Sequence, residues 1–176
     1  YREIAEVYDI GGNGIEKSSI DAFKFYKKAA DLNDTLSQIQ VAYMYFNGFG
    51  TKTNYDSSFK YYAKASITGN SLANYNLGVC YLNGFGVQKS EQYAITKFLS
   101  AANKNLPIAM YTIASYNLEG GSIYIPINYN EGRAWLEKAV QSNYPDALYK
   151  LATFYETGHF YPYSLEDAKY YYKKAA

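Results

Sequence analysis

Apolar and small residues recur along the chain at helical spacing, in blocks that end at glycine or asparagine. In the block 71–82 they include Ala73, Leu77 and Tyr81, which lie on one face of a helix. Gly84 follows, and glycine adopts the left-handed conformation that ends a helix at no steric cost. The pattern therefore predicts a helix, termed helix A, that ends next to Gly84.

A second helical pattern follows after a short polar connection. Ala94, Phe98 and Ala101 are spaced i, i+4 and i+7, and the pattern stops near Asn105. Asparagine is the non-glycine residue that best tolerates a left-handed stop. This second helix, helix B, is expected to pack antiparallel to helix A. Strand signals are weak throughout the chain.

The pair of helices repeats with a period of 36 residues. The segment Asn-Gly-Phe-Gly occurs at 47–50 and again at 83–86. Three further series of matched residues keep this 36-residue step, with one slip of two residues between Gly120 and Ala139. The first series is Gly12, Gly48, Gly84, Gly120 and Gly158, and the second is Ala29, Ala65, Ala101, Ala139 and Ala175. The third, the asparagine–glycine ladder, is Asn33, Gly69, Asn105 and Asn143. Shared periodicity of this kind predicts a repeat array. The five units are 1–34, 35–70, 71–106, 107–144 and 145–176.

Small residues at matched positions predict how the helices pack. Helix A carries Ala42, Gly78, Ala114 and Ala152 at one position, and such residues let helix axes approach to roughly 8 Å. Aromatic residues flank these positions and would fill the grooves. An isolated pair cannot bury both of its faces, whereas a stack of pairs can. The sequence therefore predicts an all-α fold.

These positions resemble the Sel1-like repeat, a relative of the tetratricopeptide repeat. The resemblance covers nearly the whole chain, and its clearest copy is Ala73-x3-Leu77-Gly78-x2-Tyr81-x2-Gly84-x-Gly86-Val87 followed by Ala94-x3-Phe98-x2-Ala101-Ala102. It implies a right-handed α-solenoid of five helix pairs. Two residues depart from the pattern: Asn117 replaces a tyrosine of helix A, and Gly132 replaces an alanine of helix B.

Composition and charge exclude several classes of function. The net charge is +1, and no basic stripe of the kind that binds nucleic acid is present. No apolar run approaches the roughly 20 residues that cross a bilayer. The chain opens in mid-repeat on Tyr1, so we expect it to be an excerpt of a longer protein. The sequence selects no compartment, and cytoplasmic and secretory or periplasmic locations are both compatible with it.

Candidate catalytic residues are few. Cys80 is the only cysteine and His159 the only histidine, and they lie two repeats apart. A cysteine nucleophile needs a base within hydrogen-bond reach, and zinc needs more ligands than these two. We therefore interpret Cys80 as a buried packing residue and His159 as a solvated or ring-stacked loop residue. No metal, cofactor or catalytic site is expected.

The resemblance to tetratricopeptide arrays implies a partner-binding surface on the concave face, which is lined by the A helices. This partner surface comprises Ile39, Tyr43, Asn47, Tyr75, Val79, Asn83, Tyr111, Ser115, Tyr149 and Thr153, with Glu119 at its edge. Tyrosine suits binding because it offers apolar area and a hydroxyl with little rotamer entropy to lose. The alternative is that these rings pack between adjacent A helices.

A second candidate contact is the irregular connection 120–130, which holds the two extra residues. Its apolar residues, together with the aromatic residues of the next A-to-B connection, form a predicted loop contact made of Ile123, Tyr124, Ile125, Ile127, Phe160 and Tyr161. One or two of them are expected to fold back under the loop.

The function expected from this resemblance is that of a non-catalytic protein–protein interaction scaffold or adaptor, which binds a peptide or a partner helix. The alternative is a regulatory or activating subunit that docks on another enzyme through its end repeats or loops, as in chitin-synthase-type complexes. An enzyme, such as the hydrolases proposed for some bacterial relatives, would require a cluster of titratable groups in one cleft. The sequence shows none.

Overall fold

The computed structural model describes residues 1–12 and 14–176, and in these residues the chain forms ten α-helices. The described residues contain no β-strand, only two isolated bridges within connections. The helices are α1 (Arg2–Ile10), α2 (Ser19–Asp31), α3 (Thr35–Asn47), α4 (Tyr55–Ile67), α5 (Ser71–Asn83), α6 (Glu91–Ala102), α7 (Pro107–Glu119), α8 (Tyr129–Gln141), α9 (Pro145–Thr157) and α10 (Leu165–Ala175). Odd-numbered helices are the predicted A helices, and even-numbered helices are the B helices.

The helices group into two compact units, residues 1–97 and 98–176, and the boundary falls inside α6. In the first unit α2 packs against α1 and α3, and α4 packs against α3 and α5. In the second unit α8 packs against α7 and α9, and α9 packs against α10. Each unit is therefore a stack of antiparallel helix pairs, in which a B helix contacts the A helices on both sides of it.

The core of the first unit shows why single pairs would be unstable. One face of α3 supplies Val41 and Met44 to a cluster that contains Tyr26 of α2. The neighbouring face of α3 supplies Ile39 and Ala42 to a second cluster with α4 and α5. Because one helix completes two cores, each pair depends on its neighbour for the apolar contacts that stabilise it.

The ends of the B helices have the left-handed backbone that the asparagine–glycine ladder predicts. Asn33, Asn105 and Asn143 have φ angles of 66°, 61° and 55°, and Gly69 has 76°. Asparagine tolerates this region better than other non-glycine residues. The prediction that a backbone requirement explains this ladder is confirmed.

The connection from helix A to helix B uses two glycines for different reasons. Gly84 adopts the left-handed conformation at the end of α5. Gly86, two residues later, lies against the start of the preceding B helix, where a Cβ atom would be 2.2 Å from the Tyr55 carbonyl oxygen. Gly50 makes the same approach to Ser19, with a corresponding distance of 1.9 Å. The repeated Asn-Gly-Phe-Gly segment therefore encodes both a helix end and a backbone contact between neighbouring repeats.

Two connections depart from this form. Gly11 and Gly120, which follow α1 and α7, have ψ angles of 173° and 176° instead of the left-handed helical value. Each is followed by an isolated backbone bridge, between Gly12 and Ile15 in one case and between Ser122 and Ile125 in the other. Both carry a Gly-Gly pair directly after the helix, which is the sequence signal that distinguishes them from the other connections.

The departures Asn117 and Gly132 are explained by packing between α7 and α8. A Cβ atom at Gly132 would lie 2.6 Å from Leu118 Cγ and 3.0 Å from Asn117 Cβ. The buried Asn117 amide donates a hydrogen bond to the Ile113 carbonyl oxygen at 2.9 Å. The two helices are thus in close contact where the other pairs have space for a larger residue.

Ser58 gives a test of this packing. Its hydroxyl is buried and has no hydrogen-bond partner in the described part of the chain, whereas the matched positions hold Ala22, Ala94 and Ala168. We expect Ser58→Ala to raise the free energy of unfolding by about 1 kcal/mol, because it removes an unsatisfied buried group. Urea denaturation measures this change. The control Ser66→Ala, which removes a hydroxyl bonded to Ala63, should give no such gain; a destabilising Ser58→Ala would contradict the prediction.

Candidate functional site

In the first unit, the residues predicted to form the partner surface lie on α3 and α5. Tyr43 is 48% exposed, and its ring centroid lies 5.7 Å from that of Phe49 in the following connection. Tyr75 and Val79 of α5 are half-buried. The exposed ring pair at Tyr43 is therefore the most accessible aromatic part of this surface.

Two asparagines lie at the edge of the same surface. Asn47 and Asn83 are exposed, and each donates a side-chain hydrogen bond of 2.9 Å to the carbonyl oxygen of Tyr43 or Val79, one helical turn back. These bonds fix the amide groups at the ends of α3 and α5, so each amide is held in place before any partner binds.

Ile39 lies in the same sequence ladder but not on the surface. It is 7% exposed and belongs to the cluster that contains Ala42 and Leu77. Its side chain packs in the core of the first unit and is not accessible to a partner in this structure.

In the second unit, α7 borders a groove of about 270 Å³. Tyr111 and Ser115, both predicted for the partner surface, line this groove together with Glu119 at its edge. The structure thus brings three residues of the predicted surface together at one depression. Tyr149 of α9 is 57% exposed, and Thr153 is half-buried with its hydroxyl bonded to the Lys150 carbonyl oxygen.

Neighbouring contacts restrain the tyrosines of the second unit. Tyr111 lies 5.6 Å from Tyr144, and Tyr149 lies 5.2 Å from Tyr172. The Tyr172 hydroxyl donates a 2.6 Å hydrogen bond to Glu156, and this bond is the main cause that raises the pKa of Tyr172 to about 12. Tyr111 therefore packs beside the start of the next A helix, whereas Tyr149 packs on the B helix of its own pair and is still well exposed.

The 120–130 loop presents its apolar residues unevenly. Ile123 is 88% exposed, and Tyr124 and Ile127 are exposed as well. Ile125 is buried, and it forms the isolated backbone bridge with Ser122. The expectation that one or two of these residues fold back is confirmed for Ile125.

Tyr161 is buried and held by charged partners. Its hydroxyl donates a 2.9 Å hydrogen bond to Glu137, and the Arg133 guanidinium lies 4.4 Å from its ring centroid. Burial raises the pKa of Tyr161 to about 12. This residue anchors its connection to α8, whereas half-buried Phe160, with a left-handed φ of 66°, packs on Tyr129.

The residues considered for chemistry lie apart from each other. Cys80 is buried in the first unit, and burial raises the pKa of its thiol to about 11, so the thiolate is disfavoured at neutral pH. His159 is exposed in the second unit and lies 3.8 Å, centroid to centroid, from Phe160. Among the described residues, no group of three or more His, Cys, Asp or Glu side chains is placed to hold a metal ion. None of the described helices is long and apolar enough to cross a membrane.

Sequence reasoning missed a pocket that borders Tyr43. It is lined by Asp9 and Phe49, among others, and has a volume of about 240 Å³. The available signal was the alignment of α1 with α3. The first repeat fits the period only if an offset of one residue before Gly12 is allowed, and Asp9 then takes the position of Phe46. That offset hid the exchange of an aromatic residue for an acidic one.

Antiparallel helix pairs that stack and share their apolar cores with the neighbouring pair define an α-helical repeat protein. The Sel1 repeat pattern matches five segments that cover almost all of the chain, residues 2–34, 35–69, 71–106, 107–144 and 145–176. The chain therefore belongs to the Sel1 repeat family. Proteins of this family generally serve as non-catalytic protein–protein interaction scaffolds.

Solved structures agree with this assignment. A Sel1 repeat protein from Oxalobacter formigenes superposes with a TM-score of 0.89 at 29% identity, over 99% of this chain and 70% of that chain. The protective antigen c5321 of uropathogenic Escherichia coli gives 0.80 at 24% identity, over 99% of this chain and 37% of that chain. The immunity protein Pa5087 of Pseudomonas aeruginosa gives 0.66 at 20% identity, over 99% and 66%. Comparison with curated protein sequences gave no match. The predicted fold class, an all-α solenoid of antiparallel helix pairs, is confirmed by these structural neighbours.

Proposed function

We propose that this chain is a scaffold or adaptor that binds an extended peptide or a helix of a partner protein along its A helices. The observation that carries this proposal is the groove beside α7, where Tyr111, Ser115 and Glu119 meet at the surface. The general role of Sel1 repeats in protein interactions supports it.

The chemistry of the groove favours a peptide over a small polar ligand. The lining includes two tyrosines, Tyr111 and Tyr116, together with the hydroxyl residue Ser115 and the acidic residue Glu119. Glu119 forms an ion pair with Lys150 of α9, which fixes the carboxylate where the groove ends. A volume of about 270 Å³ holds one or two side chains, so an occupant would insert anchor residues and leave its backbone along the surface.

Peptide selection on the intact chain tests the proposal. A random peptide library displayed on phage would be selected on the wild-type chain, and the dissociation constants of the selected peptides would be measured for variants. We expect Tyr111→Ala and Tyr149→Ala each to weaken binding by about tenfold, because each removes a ring that the peptide would cover.

Tyr163→Ala is the matched control, because Tyr163 is also well exposed but lies in the connection after α9. Its affinity for the selected peptides should stay within twofold of wild type. Peptides that bind all three variants as tightly as wild type would overturn the proposed surface.

A second candidate, docking on a larger enzyme through end repeats or loops, has one observation in its favour. The 120–130 loop exposes Ile123, Tyr124 and Ile127 together, more apolar surface than a solvated loop requires. This alternative includes a chitin-synthase-type complex. Under it, the double variant Ile123→Ser/Ile127→Ser would no longer bind the partner enzyme, whereas Tyr111→Ala would still bind it. Comparison of this double variant with Tyr111→Ala therefore separates the two candidates.

A further inference from the structure

A pocket in the first unit lies where three helices meet. Asp9 comes from α1, Ser19 and Tyr26 come from α2, and Gln40 and Tyr43 come from α3. Its volume of about 240 Å³ matches one large side chain, and it opens beside the exposed ring of Tyr43. We call it the Asp9 pocket.

The pocket exists because the first repeat lacks rings that the next repeat has. One repeat further on, Phe46 and Tyr55 take the places of Asp9 and Ser19. There Phe46, Tyr55 and Phe85 pack together, with centroid distances of 5.2, 5.2 and 4.9 Å, and fill the space.

One of these ring contacts recurs in the second unit. At the position that matches Tyr55, Tyr129 packs on Phe160 at a centroid distance of 5.0 Å. Two exchanges, one to a carboxylate and one to a small hydroxyl residue, therefore turn a packed aromatic contact into a cavity with a polar floor in the first repeat.

The lining of the pocket is suited to a positive charge. In the described part of the chain Asp9 makes no ion pair, and it is only partly exposed. The ring pair of Tyr43 and Phe49 forms one wall. Burial, followed by the nearby Asp9 and Glu6 carboxylates, raises the pKa of Tyr26 to about 12, and the Arg2 guanidinium opposes this effect. Because nearby Glu6 is paired with Arg2, Asp9 is the carboxylate that gives the pocket its negative charge.

Lys17 is the one cationic residue of the lining, and it partly offsets this negative charge. Its side chain is exposed, in the connection between α1 and α2, and it does not pair with Asp9. An anionic occupant would have to approach the Asp9 carboxylate for the sake of this one solvated ammonium group. A cationic occupant gains Asp9 and two aromatic faces, so the charges favour a cation.

We propose that the Asp9 pocket binds an arginine side chain of the partner peptide. A guanidinium group pairs with a carboxylate through two hydrogen bonds and stacks on aromatic rings, and the pocket offers Asp9 for the first interaction and Tyr43 with Phe49 for the second. Lysine, a point charge, gains less from this geometry. The inference rests on the proposed function, since Tyr43 belongs to the proposed partner surface, and it specifies the chemistry of one anchor residue.

The test uses the full chain and the probe peptide acetyl-Gly-Arg-Gly-amide, with its citrulline counterpart as the neutral isostere. Titrations followed by NMR would give the dissociation constants. We expect the arginine peptide to bind at least about tenfold tighter than the citrulline peptide, and Asp9→Asn to remove that difference. Lys17→Gln should strengthen binding of the arginine peptide. Asp56→Asn, which changes an exposed acidic residue of α4, is the control and should leave the affinity unchanged.

A filling variant makes the test independent of charge. Ser19→Tyr supplies the ring that Tyr55 supplies in the next repeat, and it should abolish binding of the arginine peptide while the circular dichroism spectrum stays native. Equal binding of arginine and citrulline peptides, unchanged affinity of Asp9→Asn, or tighter binding of a glutamate peptide would each overturn this inference. A different result separates the two proposals. If Tyr111→Ala weakens binding of the phage-selected peptides but Asp9→Asn does not, the proposed function is supported and the arginine pocket is wrong.

Discussion

Replacing Gly86 by alanine is expected to destabilise the first unit by at least about 3 kcal/mol. The new methyl group would lie 2.2 Å from the Tyr55 carbonyl oxygen and 2.7 Å from the Asp56 nitrogen, both of which are backbone atoms of α4. Backbone atoms in a helix cannot yield as a flexible side chain can, so the connection must move away from α4 and lose its contact. The positive φ of 68° adds strain of about 1 kcal/mol. Urea unfolding followed by circular dichroism measures the loss.

Gly84→Ala separates the two causes, because Gly84 has φ 79° but its nearest Cβ contact would be 3.5 Å. Only backbone strain should act there, so we expect Gly84→Ala to lower the free energy of unfolding by about 1 kcal/mol. Similar losses for Gly84→Ala and Gly86→Ala would show that the contact between neighbouring repeats contributes little, and steric exclusion at Gly86 would then be the wrong explanation.

Gly132→Ala is expected to destabilise the second unit by about 2 kcal/mol. Helix propensity alone would predict a gain of about 1 kcal/mol, and the matched positions of other repeats hold alanine or serine. The close approach of α7 reverses the sign, since the added methyl group would meet Leu118 Cγ at 2.6 Å and Leu118 Cδ2 at 2.8 Å. Trp135, the only tryptophan, lies in α8 and provides the fluorescence signal for unfolding of this unit.

A double-mutant cycle identifies the cause. Leu118→Ala alone should lower the free energy of unfolding by about 2–5 kcal/mol, because it truncates a buried leucine. In that background only Asn117 Cβ, at 3.0 Å, remains close to the added methyl group, so Gly132→Ala should cost much less than it does in the wild type. Additive effects of the two substitutions would mean that Leu118 is not what excludes the methyl group.

The helix pairs were predictable because their signals are local and repeated. Apolar spacing fixes the helices, and the Gly or Asn that ends each one needs a left-handed backbone whatever its surroundings, so Asn105 and Gly84 could be interpreted without any tertiary information. The role of Gly86 could not be predicted in this way, because it depends on a contact with Tyr55 in the preceding repeat.

The candidate site was predictable only in part. Tyr111 and Ser115 line a groove as the repeat register predicts, yet Ile39, at the same register, is buried. Register places a residue on a helix face, but whether that face is covered depends on the size of neighbouring side chains. The Asp9 pocket could not be predicted for the same reason, because it depends on the small size of its neighbours. It arises where the first repeat lacks aromatic rings that the next repeat has.

The buried Cys80 has a practical consequence for measurements on this chain. As the sole sulfhydryl, with a pKa near 11, it should react with alkylating reagents only when the first unit opens. The rate at which Cys80 is labelled therefore reports the rate of that opening without an engineered probe. The second unit contains no cysteine and does not contribute to the signal.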